Sequence, residues 1–326
     1  MAATTFYAQI AANRRNSWLL ALLVVVILAV LGWVIGYGLT GDPGGGIGLM
    51  GLAGIVAIVG SLASYYAGDQ LVLAVSGAHP VDEGQEPVLI NVVRELALAA
   101  GVPMPRVYVI EDSAPNAFAT GRDPGHASLA VTRGLLDKLD REELQGVIGH
   151  ELSHIRNFDI RFALLVGVLV GMVALLADFF LRSAFWWGGG VGRRSRREGG
   201  GGLQAIVFLL AIILAILAPI AARLVQLAVS RQREYLADAS SVELTRNPYG
   251  LQRALAKIAL DREVLEVANR ATQHLYFTNP IKKWEERASG LFSTHPPIVD
   301  RINRLRQLTG EPPLAGRELA ALAGLD

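Results

Sequence analysis

The feature that most constrains this chain is the presence of four long stretches without a charged residue. Two lie near the start, at Asn16–Gly41 and Pro43–Gly68, and two lie later, at Phe162–Ala177 and Gly199–Ala222. The first two exceed the roughly 20 apolar residues that a helix needs to cross the hydrocarbon core of a bilayer. The sequence therefore predicts an α-helical membrane protein with about four transmembrane or membrane-embedded helices.

The composition agrees with a membrane protein and excludes several other classes. The chain is 52% hydrophobic and 18% charged, whereas soluble domains contain about 25% charged residues. A formal net charge of +1 gives no reason to expect nucleic acid as a partner. Because the chain has no Cys, a disulfide framework and a cysteine-ligated metal site are both excluded. The lipid bilayer is an expected partner, and the oligomeric state is left open.

The charged segments outside the apolar pairs predict one water-facing domain built from two parts of the chain. The predicted divisions are an N-terminal hairpin at 1–68, a first domain part at 69–160, a second hairpin at 161–227 with a Gly/Arg-rich loop at 183–202, and a second domain part at 228–326. An even number of spans separates the two domain parts, which places them on one side of the membrane. Arg14 and Arg15 precede the first span and favour the cytoplasmic side, although four arginines at 193–197 make the opposite loop nearly as basic.

Hydrophobic periodicity predicts an α+β water-facing domain. The predicted elements are a helix at Asp82–Ala100, strands at Arg106–Ile110, Asn116–Thr120 and Ala127–Val131, a helix near Gly134 capped by Thr132, a helix at Arg141–His154, and a helical tail at Pro248–Leu308 with breaks at Pro280 and at Pro296-Pro297.

The motif with the clearest chemical meaning is His150-Glu151-Leu152-Ser153-His154. Positions four apart lie on one face of a helix, so both imidazoles can bind one metal ion, and Glu151 can reach a water molecule beside it. Imidazole nitrogens with one open coordination position suit catalytic zinc. The alternative is a coincidental pair of surface histidines.

A catalytic zinc site requires a third protein ligand. Glu234 and Asp238 are also four residues apart, shortly after the fourth apolar stretch. The histidine motif lies just before the third apolar stretch, so a membrane hairpin formed by the third and fourth stretches would bring Glu234 and Asp238 back to it. We assign Glu234 as the third ligand and Asp238 as the acceptor for the free ring nitrogen of a histidine ligand. The alternative is a solvated helix face with Arg–Glu pairs.

Together these motifs resemble the HtpX-type membrane endopeptidases, relatives of the CAAX prenyl protease. The resemblance rests on two N-terminal spans, Ala114-Pro-Asn-Ala-Phe-Ala-Thr-Gly121, the histidine motif, a second apolar pair, Ser230-Arg-Gln-Arg-Glu-Tyr-Leu-Ala-Asp238, Thr294-His-Pro-Pro297 and Arg301-Ile-Asn-Arg304. It implies a zincin-like fold with a small β-sheet beside the active-site helix and one Zn²⁺ per chain. It also implies degradation of misfolded or damaged membrane polypeptides, and a bacterial or archaeal inner-membrane enzyme whose active site faces the cytoplasm.

The resemblance also implies roles for three further residues. Asn116 lies in a strand beside the metal in similar proteins, where it would bind the substrate backbone. His295 and Arg301 match a His/Arg pair placed where negative charge develops during the reaction. The alternatives are a turn-capping role for Asn116 and a helix-capping role for His295.

Two other functions remain open from the sequence. One is a protease that processes prenylated proteins at a fixed C-terminal motif, for which a larger membrane chamber than four spans form is expected. The other is an inactive membrane scaffold with a structural zinc ion. The intact Glu151 argues against the scaffold, because a structural site does not need a base.

Overall fold

A computed structural model of the chain describes residues 6–165, 178, 209, 233–261, 263, 296–314 and 318–324. The described residues form two compact units. One contains Arg15–Tyr65, and the other contains Tyr66–Leu164 and the described part of the chain after residue 227. Apart from residues 162–165 and 209, the third and fourth predicted spans lie outside the described residues, as do the loop at 183–202 and His295.

Two long helices begin the chain, α1 (Phe6–Thr40) and α2 (Pro43–Val75). A Cβ atom on Gly32 would lie 2.8 Å from both the Cβ of Ala53 and the carbonyl oxygen of Leu49. Glycine is therefore required at this position for α1 and α2 to approach so closely, as is common between membrane helices. Of the described helices, only α2 is long and apolar enough to cross a membrane, and α1 contains a shorter apolar segment, Val25–Tyr37. The prediction of four spans is thus supported at one of them.

A mixed four-stranded sheet has the order β1-β2-β4-β3. The strands are β1 (Ala78–Pro80), β2 (Arg106–Ile110), β3 (Ala117–Gly121) and β4 (Ala127–Thr132). β2 pairs in parallel with β4, while β1 and β3 pair antiparallel to their neighbours, so β3 is an edge strand. The three predicted strands are confirmed to within one residue at either end. The prediction missed β1, because three residues are too few to show alternation.

Three helices of the first domain part follow local sequence signals. The helix α3 (Pro87–Ala100) begins five residues later than predicted, because the Asp82 side chain accepts the backbone N–H groups of Gly84 and Gln85 in a turn. The helix α4 (Arg133–Lys138) starts as predicted, with the Thr132 hydroxyl accepting the Leu135 N–H at 3.3 Å. The helix α5 (Arg141–Arg156) contains the histidine motif and begins with a capping box between Asp140 and Glu143.

Helix α5 is central to the core because α3, β3 and the helix Pro248–Leu260 all pack against it. The described residues 233–245, which include Glu234, are also helical. This helix contacts α5 closely: the Ser241 hydroxyl donates to the Gly146 carbonyl at 2.6 Å, and a Cβ on Gly149 would lie 2.8 Å from the Ser241 Oγ. Small residues on α5 thereby allow the two helices to approach one another. Further helices span Ile298–Thr309 and Glu318–Leu322.

Candidate metal centre

Three side chains from two helices converge as predicted. The Nε2 atoms of His150 and His154 lie 3.1 Å apart. The carboxylate of Glu234 lies 3.6 Å from the Nε2 of His150 and 3.5 Å from the Nε2 of His154. Within the described parts of the chain, these residues form the only group of three or more side chains that could hold a metal ion.

The spacing of these atoms fits one tetrahedral ion. Zinc binds nitrogen and oxygen ligands at about 2.1 Å, which places neighbouring tetrahedral ligands about 3.4 Å from one another. The two Nε2 atoms are 3.1 Å apart, and they lie 3.6 and 3.5 Å from Oε2 and Oε1 of Glu234, respectively, all close to that value. Two imidazoles and one carboxylate, with a fourth position for water or substrate, are the ligand set of a catalytic zinc ion. The side chains therefore fit a single divalent ion of this type.

His150 is supported by two buried charged residues, and we call His150, Asp238 and Arg301 the inner cluster. The Nδ1 of His150 lies 2.9 Å from Asp238 Oδ1. Arg301 donates to both oxygens of the same carboxylate, from Nε at 2.9 Å and from Nη2 at 2.7 Å. Because an ionised carboxylate only accepts hydrogen bonds, the Nδ1 of His150 must donate, which leaves its Nε2 lone pair for a metal.

The charges of the inner cluster stabilise one another against burial. Burial alone would raise the pKa of Asp238, but the charge of Arg301 and hydrogen bonds from His150 and Arg301 outweigh it and lower that pKa below its ordinary value. Burial opposes the charged form of Arg301, while Asp238 and Glu234 favour it and raise its pKa. Both groups therefore remain ionised at neutral pH.

His154 has a second set of partners, and we call His154, Asp159 and Arg233 the outer cluster. The Nδ1 of His154 lies 3.1 Å from Asp159 Oδ2, and Arg233 donates from Nη1 to Asp159 Oδ1 at 2.9 Å. Burial would lower the pKa of His154, but the hydrogen bond with Asp159 and the charges of Glu234, Asp159 and Glu151 raise it to about 9. Sequence reasoning missed both Asp159 and Arg233.

Glu151 lies between the two histidines in sequence and has a perturbed pKa. It is buried, and burial raises the pKa of its carboxyl, while the two histidines and a hydrogen bond from the Ala119 backbone oppose that shift. A raised pKa strengthens a carboxylate as a proton acceptor near neutral pH. The hydrogen bond also joins the motif helix to β3.

The residues implied by the family resemblance occupy different places. Asn116 is buried just before β3, and its Oδ1 accepts the Ala117 N–H at 3.0 Å. Arg301 is buried against Asp238, with its Nη1 4.0 Å from the Glu234 carboxylate. His295 lies outside the described residues.

Comparisons with known proteins point to one family. Residues 83–309 match the model of peptidase family M48. A protease HtpX homologue of Streptococcus thermophilus is 47% identical over 302 residues, covering 93% of this chain and 99% of the relative. Another from Caldanaerobacter subterraneus is 45% identical over 313 residues, covering 95% and 100%.

A solved structure shows a weaker likeness. The crystal structure of S. mikatae Ste24p aligns with 89% of this chain and 66% of that chain, at 18% identity and a TM-score of 0.48. The family assignment comes from the sequence matches, because the matched region includes both predicted ligand motifs and the relatives align over nearly their whole length. On these grounds the chain belongs to peptidase family M48 and is a membrane metalloendopeptidase.

Proposed function

We propose that this protein is a zinc-dependent endopeptidase in which His150, His154 and Glu234 hold the ion. The observation that supports this most directly is the convergence of the three side chains at separations of 3.1–3.6 Å. These three residues would hold the ion, which when bound would supply an acidified water molecule and Lewis-acid polarisation of the scissile carbonyl. Two imidazole ligands favour zinc over magnesium or calcium, which prefer oxygen ligands alone. No thiolate takes part, because the chain has no Cys.

Glu151 is the proposed general base. Its carboxylate accepts the proton of the attacking water and then delivers that proton to the leaving amine. The raised pKa that follows from its burial suits both steps, because the group can hold the proton between them. No covalent intermediate with the protein is formed in this scheme.

The contacts of Arg301 favour a positioning role over direct contact with the substrate. Two of its nitrogens donate to Asp238, which in turn holds the Nδ1 of His150. We therefore propose that Arg301 and Asp238 orient His150. His295 is kept as the candidate for stabilising the charge that develops on the substrate carbonyl.

We further propose that substrate adds as an extended strand beside β3. This strand is at the edge of the sheet, and Ala119 within it is hydrogen-bonded to Glu151. Strand addition recognises mainly the peptide backbone, which would favour unfolded or damaged polypeptides with little sequence preference. Asn116, directly before β3, is the proposed contact to the substrate backbone.

A multi-pass topology with the site on the cytoplasmic side is also proposed. Arg14 and Arg15 precede the first apolar helix, and positive residues at this position favour retention on the cytoplasmic side. Protease accessibility of the loop at 183–202 in oriented vesicles tests this. Cleavage only from the outer face supports the proposed orientation, and cleavage only from the cytoplasmic face reverses it.

The catalytic proposal is tested with detergent-purified protein and casein as substrate. Chelation should abolish cleavage and added zinc should restore it. Glu151→Gln should keep its zinc but lose cleavage by about 10²–10⁴-fold, the usual contribution of a general base. Glu142→Gln is the matched control, because Glu142 lies on the same helix with its side chain 59% exposed. Full activity of Glu151→Gln, or cleavage that persists without metal, would refute the proposal.

A further inference from the structure

The outer cluster connects two parts of the chain that are far apart in sequence. Asp159 follows α5, and Arg233 lies 74 positions later, immediately before the proposed ligand Glu234. The two oxygens of Asp159 have separate partners: Oδ2 lies 3.1 Å from the Nδ1 of His154, and Oδ1 accepts from Arg233 at 2.9 Å. The Asp159 carboxylate therefore contacts one proposed metal ligand, His154, and also Arg233, the neighbour of a second proposed ligand, Glu234.

A strained turn brings Asp159 back to His154. Phe158 has a φ of 59°, in the left-handed region that non-glycine residues seldom adopt. Helix α5 ends at Arg156, and residues 159–165 form the next helix. The change of direction at Phe158 places the Asp159 carboxylate beside the ring of His154, five positions earlier in sequence. Such conformations persist where the surrounding contacts hold them.

Arg233 is fixed on two sides by this next helix. Its guanidinium donates to Asp159, and it also lies 3.8 Å from the ring centroid of Phe162. A cation over an aromatic face adds attraction and restricts the side chain. With Arg233 held in this way, the position of the adjacent Glu234 is restricted as well.

We propose that Asp159 and Arg233 are positioning residues of the metal centre: Asp159 orients His154, and Arg233, next to Glu234, holds Asp159 in place. This inference rests on the proposed zinc site. The ionised Asp159 accepts from Nδ1 of His154 and leaves the Nε2 lone pair directed towards the other two ligands. The Arg233 charge compensates the buried Asp159 carboxylate.

The chain contains a matched control for this geometry. Asp123 lies 2.8 Å from the Nδ1 of His126 and 3.7 Å from Arg122, with side-chain exposures of 29%, 56% and 26%. This group is more exposed than the outer cluster and has the same three residue types, but it contains no proposed metal ligand. A substitution at Asp123 therefore removes a His–Asp–Arg contact without touching the centre.

The test compares zinc affinity, measured by chelator competition, in the full-length protein and its variants. Asp159→Ala should weaken zinc binding about tenfold or more, as is typical when the carboxylate behind a histidine ligand is lost. Asp159→Asn, which retains the shape and an acceptor oxygen, should weaken zinc binding less than Asp159→Ala does. Asp123→Ala should leave the affinity unchanged.

Arg233→Gln should weaken zinc binding, and the double variant Asp159→Ala/Arg233→Gln should be no weaker than Asp159→Ala alone. Non-additivity of this kind indicates residues that act through one another. Visible absorption of the cobalt-loaded protein adds a readout of ligand geometry, and the spectrum should change in both Asp159 variants. A lowered thermal midpoint with unchanged zinc affinity and cobalt spectrum would show that the pair is only structural.

Two outcomes separate this inference from the proposed zinc site. If the unmodified protein binds no zinc, the zinc site itself is wrong. If the unmodified protein binds zinc and cleaves casein while Asp159→Ala and Asp159→Asn bind zinc equally well, only the positioning role is overturned. Additive effects of Asp159→Ala and Arg233→Gln would overturn the claim that Arg233 acts through Asp159. Should Asp159→Ala fail to fold, the isosteric Asp159→Asn provides the same comparison.

Discussion

The inner and outer clusters contain the same three residue types but differ in burial and geometry. The side chains of His150, Asp238 and Arg301 are 0%, 3% and 1% exposed, whereas those of His154, Asp159 and Arg233 are 15%, 7% and 14% exposed. In the inner cluster the arginine binds both carboxylate oxygens, and in the outer cluster the carboxylate divides its oxygens between two partners. The same three residue types therefore support one histidine ligand in the interior and the other histidine ligand nearer to solvent.

This difference has an energetic meaning. Removing one member of a buried, hydrogen-bonded charge pair leaves the other uncompensated in a medium that solvates it poorly, which is strongly destabilising. At a more exposed pair, water replaces part of the lost interaction. The inner cluster should therefore affect both folding and metal binding, and the outer cluster should affect mainly the metal.

The largest expected effect is on stability. Arg301→Met should lower the free energy of unfolding by about 3–5 kcal/mol, because Asp238 is left as an uncompensated buried charge. Arg233→Met should cost less, about 1–2 kcal/mol, because the Arg233 side chain is 14% exposed, against 1% for Arg301, and is therefore less completely removed from water. Thermal and denaturant unfolding in detergent measure both. Equal losses in the two variants would remove the distinction between the clusters.

The next effect is on metal affinity. Asp238→Asn should weaken zinc binding by up to about 100-fold, more than Asp159→Asn, because the inner histidine has no access to water as a substitute acceptor. Chelator competition measures the two affinities under one condition. A greater loss for Asp159→Asn would reverse the proposed ranking.

The outer cluster should also produce a pH dependence. The pKa of His154 is raised to about 9 by Asp159 and the neighbouring carboxylates, and a histidine must release its proton to bind a metal. Zinc affinity should therefore increase as pH rises towards 9, by about tenfold per unit at most for one displaced proton. Asp159→Asn should flatten this dependence, since it removes a charge that favours the proton. Proton release on zinc addition, measured by calorimetry in two buffers, checks the number of protons. No release at pH 7.5 would contradict the raised pKa.

The smallest effect belongs to the exposed group at Asp123. Its pairs are solvated, so Asp123→Ala should change the free energy of unfolding by no more than about 1 kcal/mol. It should not change zinc affinity. A tenfold loss of affinity in Asp123→Ala would show that such measurements report general damage rather than contacts at the centre.

The sequence predicted those parts of the site that follow from local spacing. His150, Glu151 and His154 lie on one helix, so the helical repeat alone brings both imidazoles together. Glu234 required a further step, in which the second apolar pair returns the chain to the motif, and the structure brings it within 3.6 Å of both rings. The strands β2, β3 and β4 were predicted because alternation and β-branched residues are local signals.

The remainder could not be predicted because it depends on backbone direction and long-range contact. Asp159 is five residues from His154, a spacing that places it on a different face of a continuous helix, and only the turn at Phe158 brings it back. Arg233 resembled a solvated helix cation in sequence. The family resemblance implied that Arg301 acts at the reacting carbonyl of the substrate. In the structure Arg301 donates hydrogen bonds to Asp238, which lies 63 positions earlier.

The most direct test of this account is the zinc content of the purified protein and of Glu234→Ala, measured by elemental analysis after dialysis against a weak chelator. The account predicts one zinc ion per chain in the unmodified protein and a loss of that ion in Glu234→Ala. Retention of one tightly bound zinc ion in Glu234→Ala would contradict the assignment of Glu234 and, with it, the proposed centre.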